Sequence, residues 1–287
     1  MNKKRLIERE KGNGRMIDVR SRRSPLIRWL VIIAIAISAI AAGFFIFQSF
    51  TSPARAVATQ VNPIQPASEQ VKVELDKKAP VKFNGEVRKV AYLTFDDGPS
   101  EFQKEILDIL KKNEIKGTFF MIGGNIPSHT ESVKRLVKEG HYPGVHSMTH
   151  DYAKLYKQGQ FVEEMKQAQK IVKDVTGMEP KLVRCPYGSM PGLNQALRDQ
   201  MATVNMKEWD WTIDSLDWKL PGNPNGVVQN VISGAKQERE VILMHEKKQT
   251  VQALQTIIDD LRKKGYEFEV YEEAAHFPLN FWHDDRI

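Results

Sequence analysis

The sequence of 287 residues holds a single cysteine, Cys185, so no disulfide can close within the chain and a disulfide-stapled scaffold is excluded. That does not argue against export, because a core of this size can hold an exported protein without crosslinks. A basic excess is missing from nearly the whole chain. Residues 1–28 carry ten Lys and Arg against Glu8, Glu10 and Asp18, a net of +7, while the full chain is +6, so everything after residue 28 sums to −1. The high pI is therefore a property of the tail, and nucleic acid is not expected as a partner of the folded part. Between Trp29 and Phe47 charge is absent altogether. Residues 51–86 lack periodicity, and no internal repeat is present.

What is there follows from these gaps. The uncharged run spans nineteen residues, about 28 Å as a helix, which matches the hydrocarbon core of a bilayer. With a basic tail before it, the positive-inside rule keeps residues 1–28 in the cytoplasm and sends the rest out. Ala54-Arg55-Ala56 and Ala56-Val57-Ala58 resemble signal-peptidase sites, but the long basic region and long apolar run favour an uncleaved single-pass anchor. The expected organisation is a cytoplasmic tail (1–28), a transmembrane anchor (29–50), an extracytoplasmic stalk (51–86), a folded domain (87–275) and a C-terminal tail (276–287). The stalk carries Pro53, Pro63, Pro66 and Pro80, with one short strand at 71–75.

From Val87 the pattern alternates strand and helix. Val90–Leu93, Gly117–Ile122, His141–Val145, Lys181–Arg184, one or two segments in Thr203–Ile213, Val241–Met244 and Tyr266–Tyr271 read as strands, although Pro143 sits inside the third. Helices are expected after Pro99, with a Ser100/Gln103 capping box and a stop at Asn113, and at Ser128–Lys138, Phe161–Val175, Asn194–Met201, Val227–Ile232 and Val251–Leu261. Such repetition predicts an α/β fold with a mainly parallel sheet. An open doubly wound sheet and a closed barrel both fit, and in either the chemistry lies past the C-terminal strand ends.

Five clusters fall at such ends. Thr94-Phe95-Asp96-Asp97-Gly98-Pro99 ends a strand in two carboxylates. Neighbouring side chains on a strand point to opposite faces, so Asp96 and Asp97 can serve one site only if the backbone leaves the strand there. They suggest one metal ligand and one proton acceptor. His146-Ser147-Met148-Thr149-His150 places two imidazoles four residues apart, facing one way on a helical turn. With a carboxylate they make a two-His, one-carboxylate set suited to Zn2+ or another divalent first-row metal. Arg184-Cys185-Pro186-Tyr187-Gly188 offers a guanidinium to hold a carboxylate and a turn that presents an N–H to an oxyanion. Trp209 to Trp218 mixes three Trp with Asp210, Asp214 and Asp217, and Leu243-Met244-His245-Glu246 ends an apolar strand in His.

In this order the five clusters resemble the polysaccharide deacetylase family with the NodB homology domain (carbohydrate esterase family 4), over residues 87–273. The resemblance implies a distorted (β/α) barrel, here preceded by one transmembrane helix. It also implies hydrolytic N-deacetylation of a glycan with one divalent metal, Zn2+ first and Co2+ as a rival. Carried onto this chain, Asp97, His146 and His150 are the implied metal ligands. Asp96 is the implied base, Arg184 its orienting partner and Tyr187 the backbone oxyanion donor. His245 is the implied acid, oriented by Asp217, with Trp211 and Leu243 walling the acetyl methyl. The sequence departs from the family pattern at Cys185, where Pro or another apolar residue is frequent, at Tyr142-Pro143 in place of Glu-Ile, and at Glu246 in place of Asp; none removes a group from the site. The outward topology implies peptidoglycan as the polysaccharide partner, GlcNAc before MurNAc. The alternatives are a chitooligosaccharide deacetylase and a non-catalytic wall-glycan-binding protein on the same fold. Phe277, Leu279, Phe281 and Trp282 of the tail are expected to pack back on the domain.

Overall fold

The structure is a computed structural model that describes residues 82–83 and 85–287. The expected cytoplasmic tail, anchor and most of the stalk, including its strand at 71–75, lie outside the described residues. Among the described residues no helix is long and apolar enough to cross a membrane. A short antiparallel pair, β1 (Lys82–Phe83) and β2 (Glu86–Val87), precedes the main sheet.

Eight parallel strands make that sheet, and β3 (Lys89–Asp96) is its axis. On one side β9 (Arg239–His245) pairs with β3 from Val90 to Asp96, and β8 (Ile213–Asp214) follows β9. On the other side two strands share one edge in succession: β10 (Tyr266–Glu269) pairs with Lys89–Tyr92, and β4 (Thr118–Met121) with Thr94–Asp96. Beyond β4 come β5 (Tyr142–Val145), β6 (Leu182–Val183) and β7 (Lys207–Glu208). The sheet curls as a half-barrel whose ends, β7 and β8, are not paired with each other among the described residues. The barrel implied by the resemblance is thus open on one side.

Helices α1 (Gln103–Lys112), α2 (Thr130–Lys138), α3 (Phe161–Thr176), α4 (Gln195–Thr203), α5 (Pro224–Gly234) and α6 (Lys248–Lys263) connect the strands. Two helix starts show different physics. Asn194 caps α4 by accepting from the Leu197 N–H, as an N-cap side chain should. The Ser100/Gln103 capping box does not form, because a buried carboxylate outcompetes it. Ser100 N and Oγ both donate to Glu246 at 2.7 and 2.8 Å, and Gln103 Nε2 donates to the same carboxylate at 3.0 Å.

Pro143 does enter β5, and the ladder tolerates it. Tyr142 N and His146 N donate to β4-side carbonyls, so by alternation the donor that Pro143 lacks would face β6. There the register contains only Val145 against Val183, so no partner is lost.

Residues 90–96 of β3 are buried on both faces, the usual state of a central parallel strand. Ala91, Leu93 and Phe95 pack outward with Leu107, Leu110 and Leu254 in the main core. Val90 and Tyr92 point inward, where Phe120, Trp209, Val241 and Tyr271 fill the half-barrel and Phe277 and Leu279 close over them. Thr94 and Asp96 continue that inward row. The interior therefore changes from an aromatic plug to polar groups along β3, and that change puts the chemistry at the C-terminal strand ends.

Candidate active site

Asp96 is the last residue of β3. Asp97 has φ +68°, so the backbone leaves the strand between the two carboxylates. Gly98 is required at the next position, since a Cβ there would lie 2.0 Å from Glu246 Oε1. The pair of acids thereby faces one cleft of about 430 Å³, lined also by His146, His150, Tyr187, Trp211, Leu243 and His245. All five strand-end clusters reach it.

The two histidines converge with Asp97, though not on a helical turn. His146 follows β5 directly, and the chain then runs through Ser147 (φ +66°) to His150 (φ +55°). Glu164, projecting from α3, holds this loop: its carboxylate accepts from Met148 N, Thr149 N and Thr149 Oγ1 at 2.9–3.1 Å. Nothing in the local spacing points to Glu164, because its partners are two backbone N–H groups and one hydroxyl of a loop 15 to 16 residues away. His146 Nδ1 donates to the Arg184 carbonyl at 2.8 Å, which turns the Nε2 lone pair toward Asp97. Asp97 Oδ1 lies 3.7 Å from His146 Nε2 and 3.6 Å from His150 Nε2. Among the described residues, that buried oxygen has no hydrogen-bond partner. Burial pushes His146 down to about 4 and also lowers His150, so both rings are neutral at neutral pH. An orphaned carboxylate oxygen facing two neutral imidazole nitrogens is a donor set that fits a divalent cation.

Beside this set stand two buried pairs. Arg184, fully buried, donates from Nη1 to Asp96 Oδ1 at 2.9 Å and to Thr94 Oγ1 at 2.6 Å, from Nε to the Trp209 carbonyl and from Nη2 to the Asp210 carbonyl, both at 2.8 Å. Its guanidinium also lies 4.1 Å over Phe120. Burial raises Asp96 to about 6 against the pull of Arg184 and His245, which leaves a carboxylate that can take a proton near neutrality. In the second pair, Asp217 Oδ1 accepts from His245 Nδ1 at 2.7 Å, while Oδ2 accepts from the His245 backbone N and from Thr250 Oγ1. Burial disfavours the imidazolium, but Asp217, Asp96 and Asp97 outweigh it and raise His245 above its ordinary value. His245 Nε2 faces Asp97 Oδ2 at 3.9 Å.

Tyr187 has φ +68°, and among the described residues its N–H meets no protein acceptor. Its hydroxyl donates to the His150 carbonyl at 2.9 Å, tying the turn to the histidine loop. Trp211 and Leu243 line the cleft, and so do Asp214, Trp218 and Cys185. Trp209, the first Trp of its cluster, does not. It lies in the inner core against Tyr92, Tyr271 and Phe277, with Nε1 donating to the Phe277 carbonyl.

A buried carboxylate held by arginine, a histidine held by aspartate, a metal-type triad and a free N–H thus surround one cleft. The family model for polysaccharide deacetylases matches residues 84–209. A peptidoglycan-N-acetylglucosamine deacetylase of Bacillus cereus is 53% identical over 267 residues, covering 91% of this chain and 98% of that protein. The peptidoglycan-N-acetylmuramic acid deacetylase PdaC of Bacillus subtilis is 34% identical over 181 residues, 63% of this chain and 37% of that protein. Among solved structures, a polysaccharide deacetylase from Bacillus cereus superposes with a TM-score of 0.69 at 51% identity, covering 70% of this chain and all of that one. The chain thus belongs to the polysaccharide deacetylase family, hydrolases of the acetamide C–N bond on N-acetylated glycans.

Proposed function

We propose that this protein removes N-acetyl groups from peptidoglycan, from GlcNAc residues first and MurNAc second, while anchored at the cell membrane with its catalytic domain outside. The observation that carries the chemistry is the pairing of Asp96 with Arg184 and of His245 with Asp217 on either side of Asp97, His146 and His150. No group the reaction needs is missing, which weighs against a purely glycan-binding role. The names of the Bacillus relatives support the wall glycan as substrate. The uncharged run at 29–47 behind a +7 tail supports the anchor and the outward orientation. Exposed Tyr187 and Trp218 at the cleft, with Tyr152 packed on Tyr187, suit the apolar faces of sugar rings.

Asp97, His146 and His150 would hold one divalent metal, with Zn2+ best suited to two imidazoles and a carboxylate and Co2+ next. When bound, such an ion supplies Lewis acidity to the acetyl carbonyl and acidifies the attacking water. The protein's own groups do the rest. Asp96, oriented by Arg184, takes the proton of the water that attacks the acetyl carbon. The Tyr187 N–H meets the oxyanion of the tetrahedral intermediate, an interaction whose loss typically lowers turnover by about 10²–10³. Trp211 and Leu243 enclose the acetyl methyl. His245, kept protonated by Asp217, gives its proton to the departing nitrogen as the C–N bond breaks. The products are acetate and a free amino sugar.

Acetate release measured in parallel from peptidoglycan and from N-acetylglucosamine oligomers tests the substrate assignment. Faster release from peptidoglycan is expected. Release from the oligomers alone would make the protein a chitooligosaccharide deacetylase instead.

A further inference from the structure

One buried, heavily bonded residue beside the site takes no part in the chemistry above. Asp210, fully buried, follows Trp209 in the segment between β7 and β8. Its carbonyl accepts from Arg184 Nη2 at 2.8 Å, the same guanidinium that holds Asp96. Its Oδ1 accepts from Ser189 N at 2.9 Å, and its Oδ2 accepts from Ser189 Oγ at 2.5 Å and from Phe281 N at 2.7 Å. Its own N–H donates to the Leu279 carbonyl at 2.6 Å. One residue therefore joins the arginine of the base, the turn that carries Tyr187, and the C-terminal segment.

That segment completes a clasp. Trp282 Nε1 donates to the Ser189 carbonyl at 3.0 Å, so Ser189 is held at its N–H, its hydroxyl and its carbonyl together. The Phe281 ring meets Trp211 edge-on at 5.1 Å. Gly188 (φ +82°) is caught between them: a Cβ there would lie 3.2 Å from both Phe281 and Trp211. Tyr187 and Gly188 both adopt left-handed backbone, and Tyr187 is exposed. A non-glycine residue in that region is strained and persists only where its surroundings over-determine it. Ser189 lies two residues from Tyr187, and the clasp on it supplies that constraint.

We propose that Asp210, Ser189, Phe281 and Trp282 act as positioning residues for the deacetylation, fixing the direction of the Tyr187 N–H and the stance of the Trp211 wall. The inference rests on the reading of Tyr187 as oxyanion donor. It makes residues 279–282 part of the working site rather than a trailing tail. Because the donor acts on charge that develops only in the transition state, misplacing it lowers kcat and leaves KM nearly unchanged.

The test compares wild type, Trp282→Phe and Asp210→Asn as purified full-length protein loaded with Zn2+. It measures kcat and KM for acetate release from wall glycan, the bound metal, and backbone hydrogen exchange across residues 185–189. Trp282→Phe keeps an aromatic ring, though a smaller one, and deletes the donor to Ser189; a fall in kcat of about tenfold is expected, with KM within about twofold and metal content unchanged. Asp210→Asn should fall further. Exchange in the turn should quicken in both variants, while exchange in β3 and β9 stays at the wild-type rate. Wild-type kcat in both variants, or losses that follow bound metal or exchange throughout the domain, would overturn the inference. A wild-type protein that binds metal and releases no acetate would overturn the underlying reading as well.

Discussion

Replacing Arg184 with Met should destabilise the metal-free protein far more than an ordinary substitution. The guanidinium is fully buried and makes four hydrogen bonds, to Asp96, Thr94 and the carbonyls of Trp209 and Asp210. Met fills much of the volume but leaves the Asp96 carboxylate buried without a cation. Breaking a buried ion pair in this way costs about 3–5 kcal/mol, a large share of the roughly 5–15 kcal/mol that holds a typical domain. For a domain of this size that corresponds to a fall in melting temperature of about 10 °C. The pH dependence identifies the cause. Burial already raises Asp96 to about 6, with Arg184 the strongest opposing pull, so the variant's Asp96 must titrate higher still. A carboxyl raised in the folded state penalises folding above its folded pKa, and the penalty fades as pH falls toward the unfolded value. The deficit should therefore be larger at pH 8 than at pH 5. Adding Asp96→Asn to Arg184→Met should recover part of it by removing the stranded charge. Melting curves of the three variants at both pH values provide the assay. A Met variant that melts within 3 °C of wild type, on a threshold of about 1 kcal/mol, or a deficit that grows in acid, would refute the reasoning.

Other outcomes follow from the same geometry. His146→Ala should lose both bound metal and turnover, whereas His245→Ala should keep the metal and lose turnover; metal analysis beside acetate release separates them. Glu164→Gln should weaken metal affinity by about tenfold or more without touching a ligand, since it loosens the loop between the histidines; titration with a competing chelator reads this. The alkaline limb of activity should follow His245, which must stay protonated to act as the acid. Asp217→Asn removes the carboxylate that raises it, so that limb should move to lower pH in the kcat profile.

The site was more legible in the sequence than the fold around it, for reasons that particular residues show. Asp96, Asp97 and His245 could be placed because a strand end is a local feature: an apolar run stops and a titratable group follows. The histidine pair was legible as a pair but not as a shape. Four-residue spacing suggests a helical turn, yet the loop runs through two left-handed residues that only the distant Glu164 carboxylate holds in place. The capping box failed for the same kind of reason, since Glu246, some 140 residues on, takes both of its side chains. Trp209 and Trp211 look alike in sequence, but Trp209 plugs the inner core and Trp211, two residues further on, lines the cleft; a two-residue spacing puts both on one face of a strand and does not predict that split. The two strands that share an edge of β3, and the return of Leu279 to Trp209, are long-range pairings with no local signal.

The central claim is that Asp96 is the base and Asp97, beside it, the metal ligand. The most direct test loads wild type and Asp96→Asn with Zn2+ and measures, on one preparation of each, bound metal and acetate released from peptidoglycan. One equivalent of metal is expected in both proteins, and acetate from the wild type alone. Acetate release by Asp96→Asn near the wild-type rate, or loss of metal from that variant, would contradict it.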